Sequence, residues 1–316
     1  MGCLNDELQL FSGSSHPALA QHICDWLDIP LGRTHKDRFA NDNLFVQIEE
    51  NVREKDVFVL QTAAPPVNEH IMELCMMCDA LKHASARRIT AVIPYYFYVR
   101  SDKKDMPRIS ITARLVADLL NTAGADRVLT MTLHSEQIQG FFQTPSDHLS
   151  AVPLICDYFS GWDLSDFVVV APDAGSARRA GAYATRLGLP MAIGDKRRIS
   201  DTEVEIHSVV GEVSGKKVLI FDDEIATGGS MLKLARYLEE HCGVEEVYAG
   251  AAHGLLAGPA LERLAQPPFK GTVVTDSLPL PEGAEAASVQ QVSVAELFGK
   301  AIYAIHTGES VSRLFR

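Results

Sequence analysis

The residues from Val218 to Ser230 read V-L-I-F-D-D-E-I-A-T-G-G-S. An apolar run ends in paired acids, Asp222 and Asp223, and a short loop, Ala226-Thr227-Gly228-Gly229-Ser230, leads into a helix. Backbone N–H groups of a glycine-rich loop at a helix start form a cradle for an anion, and Thr227 and Ser230 add hydroxyl donors. Carboxylates beside such a cradle repel a lone phosphate. They suit a sugar phosphate, in which the loop takes the phosphate and the acids accept hydrogen bonds from the sugar hydroxyls. The plainer alternative is a helix with Ser230 as its N-cap, following a buried strand.

Other residues could share that chemistry. Asp195-Lys196-Arg197-Arg198 is the densest basic run in a chain of net charge −12. Cations aimed at developing charge are the expected device for moving a phosphoryl group; a solvated basic turn is the plainer reading. His134 follows the strand-like run Arg127–Thr132, and Asp173 follows Phe167–Ala171. Both stand at the carboxyl ends of predicted strands, where ligands bind in α/β proteins. Cys75 and Cys78 make a C-x-x-C, but it lies within a strongly helical stretch and has no second pair. The pair reads as small apolar residues on a buried helix face rather than a zinc site.

The elements that position these residues alternate between short β-rich runs and amphipathic helices. Strands are predicted over Asp56–Gln61, Arg88–Pro94, Arg127–Thr132, Phe167–Ala171 and Lys217–Asp223, and helices over Val67–His83, Ile111–Ala123 and Met231–Cys242. Gly124 and Gly243 follow two of the helices, as C-terminal glycines do. Continuous apolar strands such as F-V-V-V-A suit a parallel sheet covered on both faces. Lys55 to Pro94 echoes Lys216 to Ala252 as strand, loop, helix, strand, which suggests two copies of one α/β fold. The seam is expected near Ser146–Pro153, a polar stretch containing proline.

A length of 316 residues, 47% apolar and 22% charged, fits two globular domains. The acidic balance argues against a general nucleic-acid or membrane-surface binder. The sequence shows neither a signal-peptide pattern at its start nor an apolar run long enough for a transmembrane helix. The chain therefore reads as cytoplasmic, with no nucleic-acid or membrane partner.

The Val218–Ser230 stretch resembles the 5-phosphoribosyl 1-pyrophosphate motif of type I phosphoribosyltransferases. Further segments look like ribose-phosphate pyrophosphokinase: Ser12-Gly13-Ser14-Ser15-His16-Pro17, Arg38-Phe39-Ala40-Asn41, Val67-Asn68-Glu69-His70, Val92-Ile93-Pro94-Tyr95-Tyr96, and Leu133-His134-Ser135-Glu136-Gln137-Ile138-Gln139-Gly140-Phe141-Phe142. Asp195–Arg198 and the C-terminal His306–Phe315 join them, so the resemblance spans essentially the whole chain.

This resemblance implies an α/β protein of two phosphoribosyltransferase-like domains, each a mainly parallel sheet flanked by helices. The expected division is 1–148 on the ATP side and 149–316 on the ribose 5-phosphate side, with about the last 15 residues packing on the first domain. It implies Mg²⁺-dependent transfer of the β,γ-diphosphoryl group of ATP to the 1-hydroxyl of ribose 5-phosphate, and self-association as a homohexamer built from dimers.

By the same resemblance Lys196 and Arg198 are catalytic. Phe39, Asn41, Asn43, Arg100, Ser101, Asp105 and His134 contact ATP; Asp222, Asp223 and Ala226–Ser230 hold ribose 5-phosphate; His134 and Asp173 attend the metal. The family often has Glu at Asn43, Gln at Ser101 and Asp at Ala226. Its regulatory phosphate site is altered at Asn51 and Pro107, so weak phosphate activation is expected. Two other readings use the same fold: a non-catalytic synthetase-associated protein, and a phosphoribosyltransferase.

Overall fold

The computed structural model describes residues 7–198 and 204–315. They form two compact units. One gathers the residues up to Ser150 with Ser277–Pro279 and those from Val294 on; the other holds Ala151–Asp276 and Leu280–Ser293.

The first unit is built on β1 (Leu8–Ser12), β2 (Leu31–Gly32), β5 (Asp56–Leu60), β6 (Arg88–Ile93), β7 (Arg127–Met131) and β8 (Ser146–Leu149). They lie in the order β2-β1-β5-β6-β7-β8, and every pairing is parallel. Strands β3 (Thr34–Arg38) and β4 (Leu44–Ile48) form a separate antiparallel hairpin.

The flanking helices are α1 (Pro17–Leu27), α2 (Val67–His83), α3 (Thr112–Ala123) and the C-terminal helix Ala295–Thr307. Helix α3 buries Ala113, Val116, Ala117 and Leu120, the i, i+3, i+4, i+7 stripe of an amphipathic helix, and ends at a left-handed Gly124.

A partly buried ion pair ties the C-terminal helix into this unit. Asp56, fully buried at the start of β5, accepts bonds of 2.8 and 2.5 Å from the Arg88 guanidinium and lies 2.8 Å from His306 Nδ1. Arg88 also donates to the Ile305 carbonyl at 2.9 Å.

The second unit contains β9 (Phe167–Ala171), β10 (Met191–Arg198), β11 (Val204–Val210), β12 (Lys217–Ile225), β13 (Glu246–Gly254), β14 (Phe269–Thr275) and β15 (Val289–Val292). Their order is β11-β10-β9-β12-β13-β14-β15, parallel except for the β10–β11 pair. Helices α4 (Val152–Tyr158), α5 (Ala177–Leu187), α6 (Gly229–Cys242) and α7 (Ala260–Leu264) complete it. Its core joins Val168, Val170, Val218 and Ile220 of the central strands to Leu234, Ala235 and Leu238 of α6.

The two units share a strand order, with β1, β2, β5, β6, β7 and β8 standing where β9, β10, β12, β13, β14 and β15 stand in the other. The internal echo falls on β5–β6 and β12–β13. Among the described residues no helix is long and apolar enough to cross a membrane.

Candidate functional site

In the second unit the chain leaves β9 for β10 on one side, and later places β12 on the other side of β9. The carboxyl ends of β9 and β12 therefore flank a topological switch point, where a crevice opens in α/β sheets. Asp222 and Asp223 lie near the end of β12. Asp223 is buried; the Asp222 side chain is 29% exposed.

One nitrogen, Arg179 Nη1 on α5, lies 2.8 Å from Asp222 Oδ1 and 2.7 Å from Asp223 Oδ1. The Asp223 N–H also donates to Asp222 Oδ1 at 2.9 Å. Burial, then the charge and proximity of Asp223, push the Asp222 carboxyl well above the usual carboxylate range, against the opposing pull of Arg179.

The loop beyond β12 runs into α6, which starts at Gly229 rather than Met231. Ser230 is therefore inside the helix and is not its N-cap. Gly228 takes that place, with a left-handed φ of 68°, a conformation glycine adopts without a Cβ clash, and has no side chain with which to cap the first turn. The N–H groups of this turn point out of the helix with its partial positive charge. Thr227 and Ser230 are exposed beside them. Arg263 Nη1 donates to the Thr227 carbonyl at 2.9 Å, and the Ala257 N–H donates to the Ala226 carbonyl at 2.8 Å, so both carbonyls are held by the segment that leads through α7.

Asp173 lies half-buried just beyond β9. Its Oδ1 accepts the Ser176 N–H at 2.9 Å, and Ser176 Oγ takes the Asp173 N–H at 3.1 Å, a reciprocal turn that leads into α5. The backbone of Lys196 and Arg198 runs in β10 opposite Ile206 and Val204; their side chains lie outside the described residues.

The remaining candidates are in the first unit. Phe39 stands in the β3–β4 turn, 56% exposed, edge-on to Phe45 with ring centroids 5.6 Å apart. The Asn43 carbonyl accepts the Phe39 N–H at 2.9 Å, and the exposed Asn41 accepts the Asn43 N–H at 3.3 Å. Arg38 anchors the turn through Asp42 and Glu69. Arg100, Ser101 and Asp105 follow β6, with Ser101 bonded through its N–H to the Tyr98 carbonyl at 2.9 Å. His134 is exposed just beyond β7. In helix α2 Cys78 is buried and Cys75 half-buried, and burial pushes both thiols up.

Comparison with known proteins shows the family. Residues 8–124 match the family model described as the N-terminal domain of ribose phosphate pyrophosphokinase, and 197–316 match the phosphoribosyl synthetase-associated domain. The chain is 50% identical over its full length to a ribose-phosphate pyrophosphokinase of Deinococcus radiodurans, covering 100% of that protein. The chain belongs to the ribose-phosphate pyrophosphokinase family.

A Bacillus cereus ribose-phosphate pyrophosphokinase is 47% identical, with 99% of this chain and 98% of that protein covered. A crystal structure of phosphoribosylpyrophosphate synthetase from Mycobacterium smegmatis, 41% identical, superposes with a TM-score of 0.90 over 96% of this chain and 99% of that one. This member of the family is thus an enzyme with the two phosphoribosyltransferase-like domains that its sequence predicts.

Sequence reasoning missed Arg179 and Arg263 in this pyrophosphokinase. A signal for Arg179 existed: two adjacent acids at the end of a buried strand need a counter-ion, and α5 follows β9 into that same crevice. Arg263 carried none, because 36 residues separate it from the carbonyl it holds.

Proposed function

We propose that the chain transfers the β,γ-diphosphoryl group of ATP to ribose 5-phosphate, and that the second unit's loop and acid pair hold the sugar. The observation that carries this reading is the Asp222–Asp223 pair at the strand switch point, beside a helix start whose N-cap is the glycine Gly228. In it, the N–H groups from Ala226 to Ser230 take the 5-phosphate, and the acids accept hydrogen bonds from ribose hydroxyls. The oxygen of the 1-hydroxyl attacks the β-phosphorus, the bond from that phosphorus to the α,β-bridging oxygen breaks, AMP departs and the hydroxyl proton is released.

Attack of this kind needs alignment and charge neutralisation more than covalent chemistry. Lys196 and Arg198 stabilise the charge that develops on the transferred group. Phe39 stacks on the adenine, as an aromatic ring can with any base face. Asn41, Asn43, Arg100, Ser101, Asp105 and His134 surround the nucleotide.

Mg²⁺ fits the residues present. Among the described residues no cluster of three or more His, Cys, Asp or Glu could hold a metal, and one oxygen of Asp173 is already committed to Ser176. A hard cation held mainly by substrate phosphates and water needs few protein ligands, and Asp173 beyond β9 offers it a carboxylate. When bound, the ion neutralises charge on the polyphosphate.

The same reading extends to a cytoplasmic homohexamer built from dimers. It also extends to weak phosphate activation, because Asn51 and Pro107 lack the hydroxyls expected there and Pro107 has no N–H.

The test is AMP release from ATP and Mg²⁺. We expect release that depends on ribose 5-phosphate, and a kcat about 10²-fold lower in Lys196→Ala and Arg198→Ala with little change in KM. Release indifferent to ribose 5-phosphate contradicts the reading.

A further inference from the structure

We propose that Arg179 is a positioning residue of the sugar site: a single guanidinium nitrogen clamps Asp222 and Asp223 as one pair of acceptors for the ribose hydroxyls. The proposal rests on reading that pair as the ribose acceptors.

The geometry is specific. Arg179 Nη1 lies within hydrogen-bond distance of Oδ1 of both acids, at 2.8 and 2.7 Å. Consecutive residues of a strand point their side chains to opposite faces of the sheet. Asp222 and Asp223 nonetheless converge on one nitrogen, and the Asp223 N–H draws Asp222 Oδ1 toward the same place. Two carboxylates this close repel one another, and a shared cation offsets that repulsion.

The clamp is also rigidly mounted. One turn after Arg179 on the same helix, Tyr183 stacks on Phe221 with ring centroids 4.0 Å apart and planes 9° apart. Phe221 immediately precedes Asp222, and both rings are fully buried. The helix that carries the arginine is thereby fastened to the strand that carries the acids, one residue from the contact. A charge mounted in this way orients acceptors before the ligand arrives, which is how a site gains affinity without touching the substrate.

The alternative role for Arg179 is structural, a counter-ion whose loss loosens the whole second unit. The two roles predict different kinetics. A positioning role confines the damage to ribose 5-phosphate. A structural one spreads it to both substrates.

The experiment compares the native enzyme with Arg179→Gln, Arg179→Lys and Asp223→Ala, each checked for a cooperative thermal transition. KM for ribose 5-phosphate and for ATP is measured separately. We expect Arg179→Gln to raise KM for ribose 5-phosphate on the order of ten- to a hundred-fold, as loss of a charged hydrogen-bond partner does, with KM for ATP within about two-fold of native. Arg179→Lys, which keeps a charged donor but not the planar guanidinium that reaches both acids, should recover only part of that loss and leave KM for ribose 5-phosphate several-fold above native, with KM for ATP unchanged. Asp223→Ala should weaken ribose 5-phosphate at least as much.

Equal increases in KM for both substrates overturn the positioning role, as does a native KM for ribose 5-phosphate in a folded Arg179→Gln. Should the glutamine variant not fold, Arg179→Lys decides: an increase confined to ribose 5-phosphate supports the clamp, and native values for both substrates overturn it. An Asp223→Ala enzyme with native affinity for ribose 5-phosphate overturns the ribose reading itself. That result is distinct from one in which Asp223→Ala fails while Arg179→Gln does not.

Discussion

At the carboxyl end of β5 a glutamine and a glutamate are buried in a closed set of hydrogen bonds; at the equivalent end of β12 two aspartates share one arginine. In the first unit Glu73 accepts from the Ser14 N–H at 3.0 Å, Ser14 Oγ at 2.7 Å and Gln61 Nε2 at 2.6 Å, with Lys36 Nζ 3.5 Å away. Gln61 Oε1 takes the Ser15 N–H at 3.0 Å, and Ser15 Oγ takes the Thr62 N–H at 2.8 Å. Burial pushes the Glu73 carboxyl up, but the bonds from Ser14 and Gln61 and the Lys36 charge outweigh it and hold the group below its ordinary value. Asp222 is shifted the other way. The same point of one fold is built in two ways: once filled by hydrogen-bonded side chains that hold a carboxyl below its ordinary pKa, and once with a close acid pair that raises one.

The largest expected effect that would break this comparison is in the first unit. Glu73→Ala takes one acceptor from the buried Gln61 amide and the acceptors of the exposed Ser14, and should cost about 3 kcal/mol. The check is a urea titration, and an unmoved midpoint would refute the filled-site account. The pH dependence has a definite sign. A depressed folded pKa contributes stability that is present above the ordinary glutamate range and lost as pH falls through the folded value, so Glu73→Gln should remove that acid-side loss.

Gly13→Ala attacks the same cluster from the side. An added Cβ would lie 2.3 Å from Gln61 Oε1 and 2.4 Å from its Cδ. Displacing Gln61 strips partners from Ser15 and Glu73, and a stability loss of about 1–3 kcal/mol is expected. Differential scanning calorimetry reads it directly.

Asp222→Asn should move stability the opposite way. With its pKa raised, the folded protein holds a proton that the unfolded chain has already released. Stability therefore falls as pH rises from the ordinary aspartate pKa to the raised folded value. The asparagine variant escapes that loss. Its melting temperature should exceed the native one at neutral and higher pH, and the difference should vanish below the ordinary carboxylate range. A lower melting temperature at neutral pH would show that the pair is settled, like its counterpart, and not held under strain.

The smallest effect is expected at Gly228. A Cβ there meets only ordinary contacts, the nearest at 3.7 Å, but the backbone φ is +68°. Gly228→Ala should cost about 1 kcal/mol of stability, while weakening ribose 5-phosphate through the loop it distorts. A thermal shift measured with and without the sugar phosphate separates the two effects.

Local features of the fold were legible in the sequence. Helix α2 has the predicted bounds, α3 begins one residue later, and Gly124 and Gly243 take left-handed backbone at helix ends. Periodicity and terminal glycines act over a few residues, so a sequence displays them. The acid pair and its loop were legible for the same reason.

Features that join distant segments were not. Ser14, Gln61 and Glu73 meet only because the sheet places β1 beside β5. Asp56, Arg88 and His306 meet only when the chain's end returns to its first unit. The polar run T-H-K-D-R of β3 shows no apolar alternation, because its partner is a single strand on a hairpin outside the main sheet. The start of α6 escaped because Gly228, with no side chain, takes the capping position that Ser230 suggested.

The most direct test of the difference between the two strand ends is calorimetric titration of ribose 5-phosphate into the native enzyme, Asp223→Ala and Glu73→Gln, with ATP as the control ligand. The account predicts that Asp223→Ala loses ten-fold or more of its ribose 5-phosphate affinity, on the order expected for a lost buried hydrogen-bond partner, and keeps its ATP affinity. Glu73→Gln, though less stable, should bind the sugar phosphate as the native enzyme does. Sugar phosphate affinity lost in Glu73→Gln and retained in Asp223→Ala would contradict it.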